Sequence, residues 1–252
     1  MWKYRAPMLV LLLVACGRGV SVTWGDIVRQ GAPAPPREFP GSNRPVIDGG
    51  CEASLRVAAA DGSAFGAWWQ PRSDSSSVLM VARAMDGGAW QRPVVADSTD
   101  RSARGCGRPP PAIAADLKSG YVHLAYFIEP TSGPGVFFTH SMDSGATFHA
   151  SVPVVFGKNP ARVSIDSEGE RVAVVYEDPN SVQPMLGLAL SSTMGHIFER
   201  GVSASSPNGR ARQPIVRLDG DSIRLWWSEY SANPAVSATK SMYRSGYIAA
   251  QR

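Results

Sequence analysis

The octapeptide Ser141-Met142-Asp143-Ser144-Gly145-Ala146-Thr147-Phe148 decides how this chain is read. A hydroxyl and a carboxylate stand two residues apart, glycine follows two residues later, and a threonine and an aromatic end the stretch. Short polar side chains of this kind satisfy the N–H groups of a tight turn. Glycine supplies a positive φ at no steric cost. The aromatic is placed to pack back between sheets. The stretch therefore reads as a turn joining two antiparallel strands, built to a fixed recipe.

Working outward, partial copies occur at matching places. One is Ala84-Met85-Asp86-Gly87-Gly88-Ala89-Trp90, a residue shorter. Another is Ser191-Ser192-Thr193-Met194-Gly195-His196-Ile197-Phe198, and a fainter one spans 241–247. Each copy follows a repeated run of short strands. First strands of the repeat are 54–61, 111–116, 161–166 and 214–219, each ending in Asp with Gly close by, as hairpin turns favour. Second strands are 65–69, 121–128, 171–176 and 222–227, each with an aromatic near its end. Polar turns follow at Gln70-Pro71, Glu129-Pro130, Glu177-Asp178-Pro179 and Glu229-Tyr230-Ser231. Third strands are 78–84, 136–140, 186–190 and 236–240. The period is roughly 50 to 57 residues, the length of one four-stranded propeller blade. No amphipathic helical run of useful length follows residue 50, so the class is all-β.

Composition agrees. Hydrophobic residues are 44% and charged residues 18%, enough apolar material for a core and too little charge for a disordered chain. The 25 glycines and 20 prolines fit a turn-rich fold. A formal charge of +4 without a Lys/Arg-rich block gives nucleic-acid binding no specific support.

The motif and its repeats resemble the BNR/Asp-box propellers, the group that includes sialidases. The resemblance covers about residues 50–252 and implies a β-propeller of four-stranded antiparallel blades. Four repeats are recognisable, whereas sialidases of the family have six blades. Either the propeller is small, or strands in residues 20–49 and divergent segments complete it. Arg44-Pro45-Val46-Ile47 is similar to the fourth-strand segment Arg92-Pro93-Val94-Val95 and is expected to close the ring against the last blade. The resemblance makes Ser141, Asp143, Gly145, Thr147 and Phe148 structural rather than catalytic.

Strand parity sorts the loops. Loops entering each first strand share a face with loops between second and third strands; the Asp boxes lie on the other. The first group carries Arg104, Arg108, Lys158, Arg162, Arg210 and Arg212, which are the candidate ligand-binding cations. The second carries Glu129, Glu177, Asp178, Glu229 and Tyr230. Sialidase-family propellers set an arginine cluster, carboxylates and a tyrosine on this face. The resemblance thus implies an arginine grip on a substrate carboxylate and offers Glu177, Glu229 and Tyr230 as candidate catalytic groups. The family's first-arginine motif is missing; Arg37-Glu38-Phe39-Pro40 has its residues in the wrong order. That favours a non-catalytic module binding an anionic glycan or an envelope protein, with a sialidase-type glycoside hydrolase as the alternative and a purely structural envelope subunit as a third reading. The four histidines, His123, His140, His149 and His196, are not spaced as a zinc pair. No metal and no cofactor is expected. Paired tryptophans at Trp68-Trp69 and Trp226-Trp227 are expected to pack in the core.

The N-terminus reads as an export signal. Lys3 and Arg5 precede a short apolar run, Met8 to Val14, too short to span a bilayer. It ends in Leu13-Val14-Ala15-Cys16, which resembles a bacterial lipobox. That implies a signal peptide over 1–15, a lipidated Cys16, membrane attachment through the lipid alone, and, with Gly17 next, an outer-membrane destination. Residues 16–49 read as a Pro/Gly-rich tether. Cys51 and Cys106 then remain, lying ten residues before Asp61 and Asp116 respectively. Equivalent positions in neighbouring blades place them for a disulfide.

Overall fold

The computed structural model describes residues 20–30, 44–116, 118–199, 201–206, 209–231 and 239–250. The signal peptide expected over 1–15 and the lipidation expected at Cys16 fall outside them. In chain order, β1 (Val20–Trp24) and β2 (Val28–Gln30) come first. Blade I follows as β3 (Arg56–Ala60), β4 (Ser63–Pro71), β5 (Ser77–Ala84) and β6 (Val94–Asp97). Blade II is β7 (Ala112–Asp116), β8 (Tyr121–Ile128), β9 (Gly135–Ser141) and β10 (Val152–Phe156). Blade III is β11 (Val163–Glu168), β12 (Arg171–Glu177), β13 (Leu186–Ser191) and β14 (Val202–Ser203). Blade IV holds β15 (Ala211–Asp219), β16 (Ser222–Tyr230) and β17 (Thr239–Ala250). Each blade is an antiparallel meander, and the protein is a four-bladed β-propeller. Among the described residues there is no α-helix, only single 3₁₀ turns at Glu52–Ser54 and Gly105–Gly107.

Blade IV is completed from the other end of the chain. β1 lies antiparallel on β17, from Val20 opposite Ala250 to Trp24 opposite Gly246, and β2 continues along the same edge. Residues 20–30, inside the span read as tether, thus supply the strands that the sequence allowed for within 20–49. One expectation is corrected. The fourth-strand role given to Arg44-Pro45-Val46-Ile47 falls to β1; residues 44–47 form no strand. Instead Pro45 is buried over Gly66 of β4, and Ile47 abuts Gly50 beside Trp68. The faint copy at 241–247 is likewise no turn, because β17 runs straight through it. Gly246 serves packing there: a methyl group on it would strike Val22, Trp24 and Ile223.

Burial follows blade position. The middle strands β8 and β9 of blade II and β13 of blade III are buried along their whole length, because both faces of those sheets are covered. β16 of blade IV alternates, with Ile223, Leu225 and Trp227 turned inward against blade III. Hydrophobic clusters join blades I and II, II and III, and III and IV. Among the described residues none joins IV to I.

The third seam is also zipped by polar groups. The free edge of an innermost strand has backbone N–H groups with no neighbouring strand to receive them. Ser164 Oγ, Asp166 Oδ2 and Glu168 Oε2, at alternate positions on β11, accept from Val216, Leu218 and Gly220 at 3.1, 2.8 and 2.8 Å. Side chains of one blade thus take the place of a partner strand for the next.

At the first seam a disulfide joins Cys51 to Cys106, with Cα atoms 5.3 Å apart across a sequence separation of 55. The two equivalent positions do meet between neighbouring blades.

Candidate functional site

Three blade-entry arginines converge where blades III and IV meet. Arg162 precedes β11, Arg210 precedes β15, and Arg212 lies near the start of β15. With Pro184, Gln213 and Tyr230 they line a cleft of about 420 Å³. Tyr230, at the end of β16, is 38% exposed and forms one wall.

A backbone irregularity shapes this cleft. The β15–β16 register shifts between Arg212 and Ile215, and Gln213 has φ +56. Left-handed backbone is costly for a residue with a Cβ and persists where its surroundings fix it. Glu177 does the fixing. It is 8% exposed; its Oε1 accepts from Gln213 N at 2.9 Å, and its Oε2 accepts weakly from Arg162 N at 3.5 Å. The same carboxylate stands 3.8 Å from Arg212 Nη1. Glu177 therefore ties together the backbones of two arginine-bearing segments. Three guanidiniums against this one carboxylate leave the cleft net positive, a setting for a carboxylate- or sulfate-bearing ligand.

The other sequence candidates stand apart from the cleft. Glu229 turns its Oε1 to Trp227 Nε1, 3.4 Å away, and to the space beside Gly209. Arg104 is paired with Glu129 through two bonds of 2.7 and 3.0 Å, and that hydrogen bonding holds the Glu129 carboxyl below its ordinary range. Lys158 is exposed and outside the cleft lining. Arg108 is no surface cation at all. Its side chain is 1% exposed, paired with Asp100 at 2.9 Å, set over Trp69 at 5.2 Å, and donates to the carbonyls of Ser102 and Gly105. Sealed inside the first seam, its guanidinium is not presented to a ligand. Arg56 on β3, which the sequence reading did not single out, is close enough to Arg162 to feel its charge. A basic residue inside a strand carried no signal marking it as part of the loop face.

The face that carries the octapeptide and its copies lies at the opposite ends of the strands. In the octapeptide, Ser141 Oγ accepts from Gly145 N at 2.8 Å and donates to Asp143 Oδ1 at 2.7 Å. Asp143 Oδ1 accepts from Ala146 N and Thr147 N at 3.0 and 2.9 Å, and its Oδ2 from Thr147 Oγ1 at 2.6 Å. Desolvation raises the carboxyl, but the bonds from Thr147, Ser141 and Ala146 outweigh it and bring Asp143 down to about 2. In the copy at 191–198, Ser191 keeps its bond to Gly195 N at 3.0 Å, and Thr193 Oγ1 replaces the carboxylate by accepting from Ile197 N at 3.0 Å. The shorter copy keeps only the left-handed pair, Asp86 and Gly87, as a plain hairpin turn. A second cavity, about 560 Å³, opens on this face beside Asp61, Asp116, Glu168 and Glu170. Two of those carboxylates cap the N–H groups of Gly169 and Gly220 at 2.9 and 2.8 Å.

No family model matches the chain, and no curated protein matches it. Solved structures do. A Hadza microbial sialidase superposes with TM-score 0.52 at 16% identity, covering 75% of this chain and 43% of its own. An ulvan lyase, a polysaccharide lyase, gives 0.51 at 14%, covering 75% and 50%. The α-L-arabinanase of Penicillium chrysogenum, complexed with arabinobiose, gives 0.50 at 16%, covering 75% and 61%. The likeness establishes the sialidase-like propeller fold, and the chain spans less than two thirds of each of these proteins.

Proposed function

We propose that this propeller is a carbohydrate-binding module whose Arg162/Arg210/Arg212 cleft holds an acidic group of a glycan without cleaving it. The observation that carries this reading is the cleft itself: three arginines line it, with Tyr230 available to lie against a sugar ring. The nearest carboxylate supports the non-catalytic reading. Glu177 is buried and engaged by two backbone N–H groups, so a role as base or nucleophile would require it to leave them. Neither Glu177 nor Glu229 is hydrogen-bonded to the Tyr230 hydroxyl, the pairing a retaining sialidase-type reaction needs. The presence of Tyr230 beside the arginines is what favours the second reading, a glycoside hydrolase. An immobilised panel of sialylated, uronic-acid, sulfated and neutral glycans separates them, together with a fluorogenic sialoside. Retention of acidic glycans alone, with no turnover, is expected. Turnover that Tyr230→Phe abolishes would establish the hydrolase, and equal retention of neutral glycans would defeat the cleft as the binding site.

The same proposal places the protein in the cell envelope, held by an acyl chain on Cys16. The Cys51–Cys106 disulfide supports an oxidising compartment. Because β1 opens at Val20, the leash from Cys16 is short, roughly 14 Å when extended. Blade IV would therefore lie against the membrane. Labelling with an alkyne fatty acid should mark the wild type and miss Cys16→Ala.

A further inference from the structure

All four histidines of the chain meet at the Asp-box end of the seam between blades II and III. His123 lies on β8 and His140 on β9; His149 follows the octapeptide, and His196 sits in the 191–198 turn of blade III. His140 is the hub, with ring centroids 6.3 Å from His123, 4.8 Å from His149 and 4.7 Å from His196. Tyr121 stands 5.5 Å from both His123 and His140, and its hydroxyl is 3.4 Å from His196 Nε2. Burial increases inward: His149 and His196 are exposed, His140 is 6% exposed and His123 0%. Among the described residues no three histidine, cysteine or carboxylate side chains are placed to share a metal ion. The rings meet as packed aromatics.

The protonation state follows from the partners. His123 Nε2 lies 3.2 Å from the Met194 carbonyl, which can only accept, so Nε2 carries the hydrogen and Nδ1 is bare. Nδ1 is sealed with no partner, and so is His140 Nε2. A neutral ring tolerates a bare lone pair there. A second proton would put an N–H at Nδ1 of His123 in a dry place with nothing to accept it. The turn that covers this ring belongs to blade III, so bringing Nδ1 to water requires the seam to part, and it is the seam that bears the cost.

We propose that this imidazole-lined end of the seam is a proton-operated joint, closed while the rings are neutral and opened locally by acid, which frees the 191–198 turn from β8 and β9. The charged and titratable groups facing it come from every packed element. Burial first, then His140 and His196, oppose a charged His123; the Met194 carbonyl and Asp116 on β7 favour it. Burial first, then His196 and His149, oppose a charged His140. The result holds both His123 and His140 down to about 4. Since the closed state binds its protons more weakly than the open one, the joint is fully stable above the ordinary imidazole range. It weakens as pH falls from about 6.5 toward 4, by up to tenfold per pH unit for each proton gained on opening.

Hydrogen exchange of the full folded chain, expressed as protection relative to intrinsic rates at about pH 7.5 and about pH 4.5, tests this. Peptides covering 121–128, 136–141 and 191–198 should lose about tenfold or more of their protection at the lower pH, while 64–71 in histidine-free blade I holds. His123→Phe, which keeps a stacked ring without a titrating nitrogen, should remove most of the difference. Should that variant not fold, the ring protons of the wild type give the answer by NMR, with two of the four imidazoles remaining neutral below pH 5. Even loss of protection across all four blades, no loss at all, a full acid effect in folded His123→Phe, or four imidazoles titrating together near their ordinary value would each overturn the proposal.

Discussion

Asp100 is 1% exposed at the first seam, where its carboxylate accepts from Glu129 N and Ser77 N at 3.1 and 3.2 Å and pairs with Arg108 at 2.9 Å. Removing one member of such a pair strands a charge in a dry site. Asp100→Ala should therefore lower unfolding stability by about 3–5 kcal/mol, as read from denaturant curves. Asp100→Asn combined with Arg108→Met removes both charges and should cost clearly less. Equal losses would mean the pair is not sealed as described. Side chains such as these explain the limits of reading a site from sequence. Arg108, Arg162 and Arg212 are alike as letters in entry loops. What separates them is whether a carboxylate and an aromatic ring wait beneath: Asp100 stands in the same connection as Arg108, but Trp69 comes to it from β4. Glu177 was legible as a residue of the right face, whereas its role in holding the Gln213 bulge depends on an adjacent blade.

At the scale of the element, the turns at 141–148 and 191–198 were legible because their chemistry is local. Hydroxyl, acceptor and glycine are spaced to satisfy one another, and the fold keeps the geometry even where Thr193 stands in for Asp. The two glycines do not carry equal loads. A Cβ on Gly195, at φ +87, would stand 2.3 Å from Phe138 Cζ; on Gly145, at φ +77, it would stand 3.3 Å from Phe65 Cδ1. Gly195→Ala combines backbone strain with overpacking, about 2–4 kcal/mol. Its melting temperature should fall well below that of Gly145→Ala, and the reverse order would contradict the packing described. β1 was not legible in the same way. Nothing local in Val20–Trp24 announces that its partner is β17, at the far end of the chain. The 241–247 stretch misled because a serine and a glycine at suggestive spacing can also sit in a strand, where Gly246 leaves room for Trp24.

For the whole molecule, the repeat period set the blade order, and the equivalence of Cys51 and Cys106 within it set the disulfide. Closing a loop of this length restricts the unfolded chain by about 4 kcal/mol in the chain-entropy view. Reduction under native conditions should lower the melting temperature by several degrees, with Cys51→Ser/Cys106→Ser matching the reduced protein. An unchanged melting temperature would mean that the first seam needs no fastening. What the whole-molecule pattern could not supply was which loops of the shared face converge, since that depends on the bulge at Gln213 and on the inter-blade hydrogen bonds of β11.

The claim on which the functional account rests is that the cleft between blades III and IV grips an acidic sugar through its arginines. Calorimetric titration of the folded protein with a uronic-acid oligosaccharide, beside its neutral reduced counterpart, measures this directly. The account predicts binding of the acidic form alone, weakened about tenfold or more in Arg162→Ala and in Arg212→Ala and further by added salt. Equal binding of the neutral sugar, or undiminished binding by both variants, would contradict it.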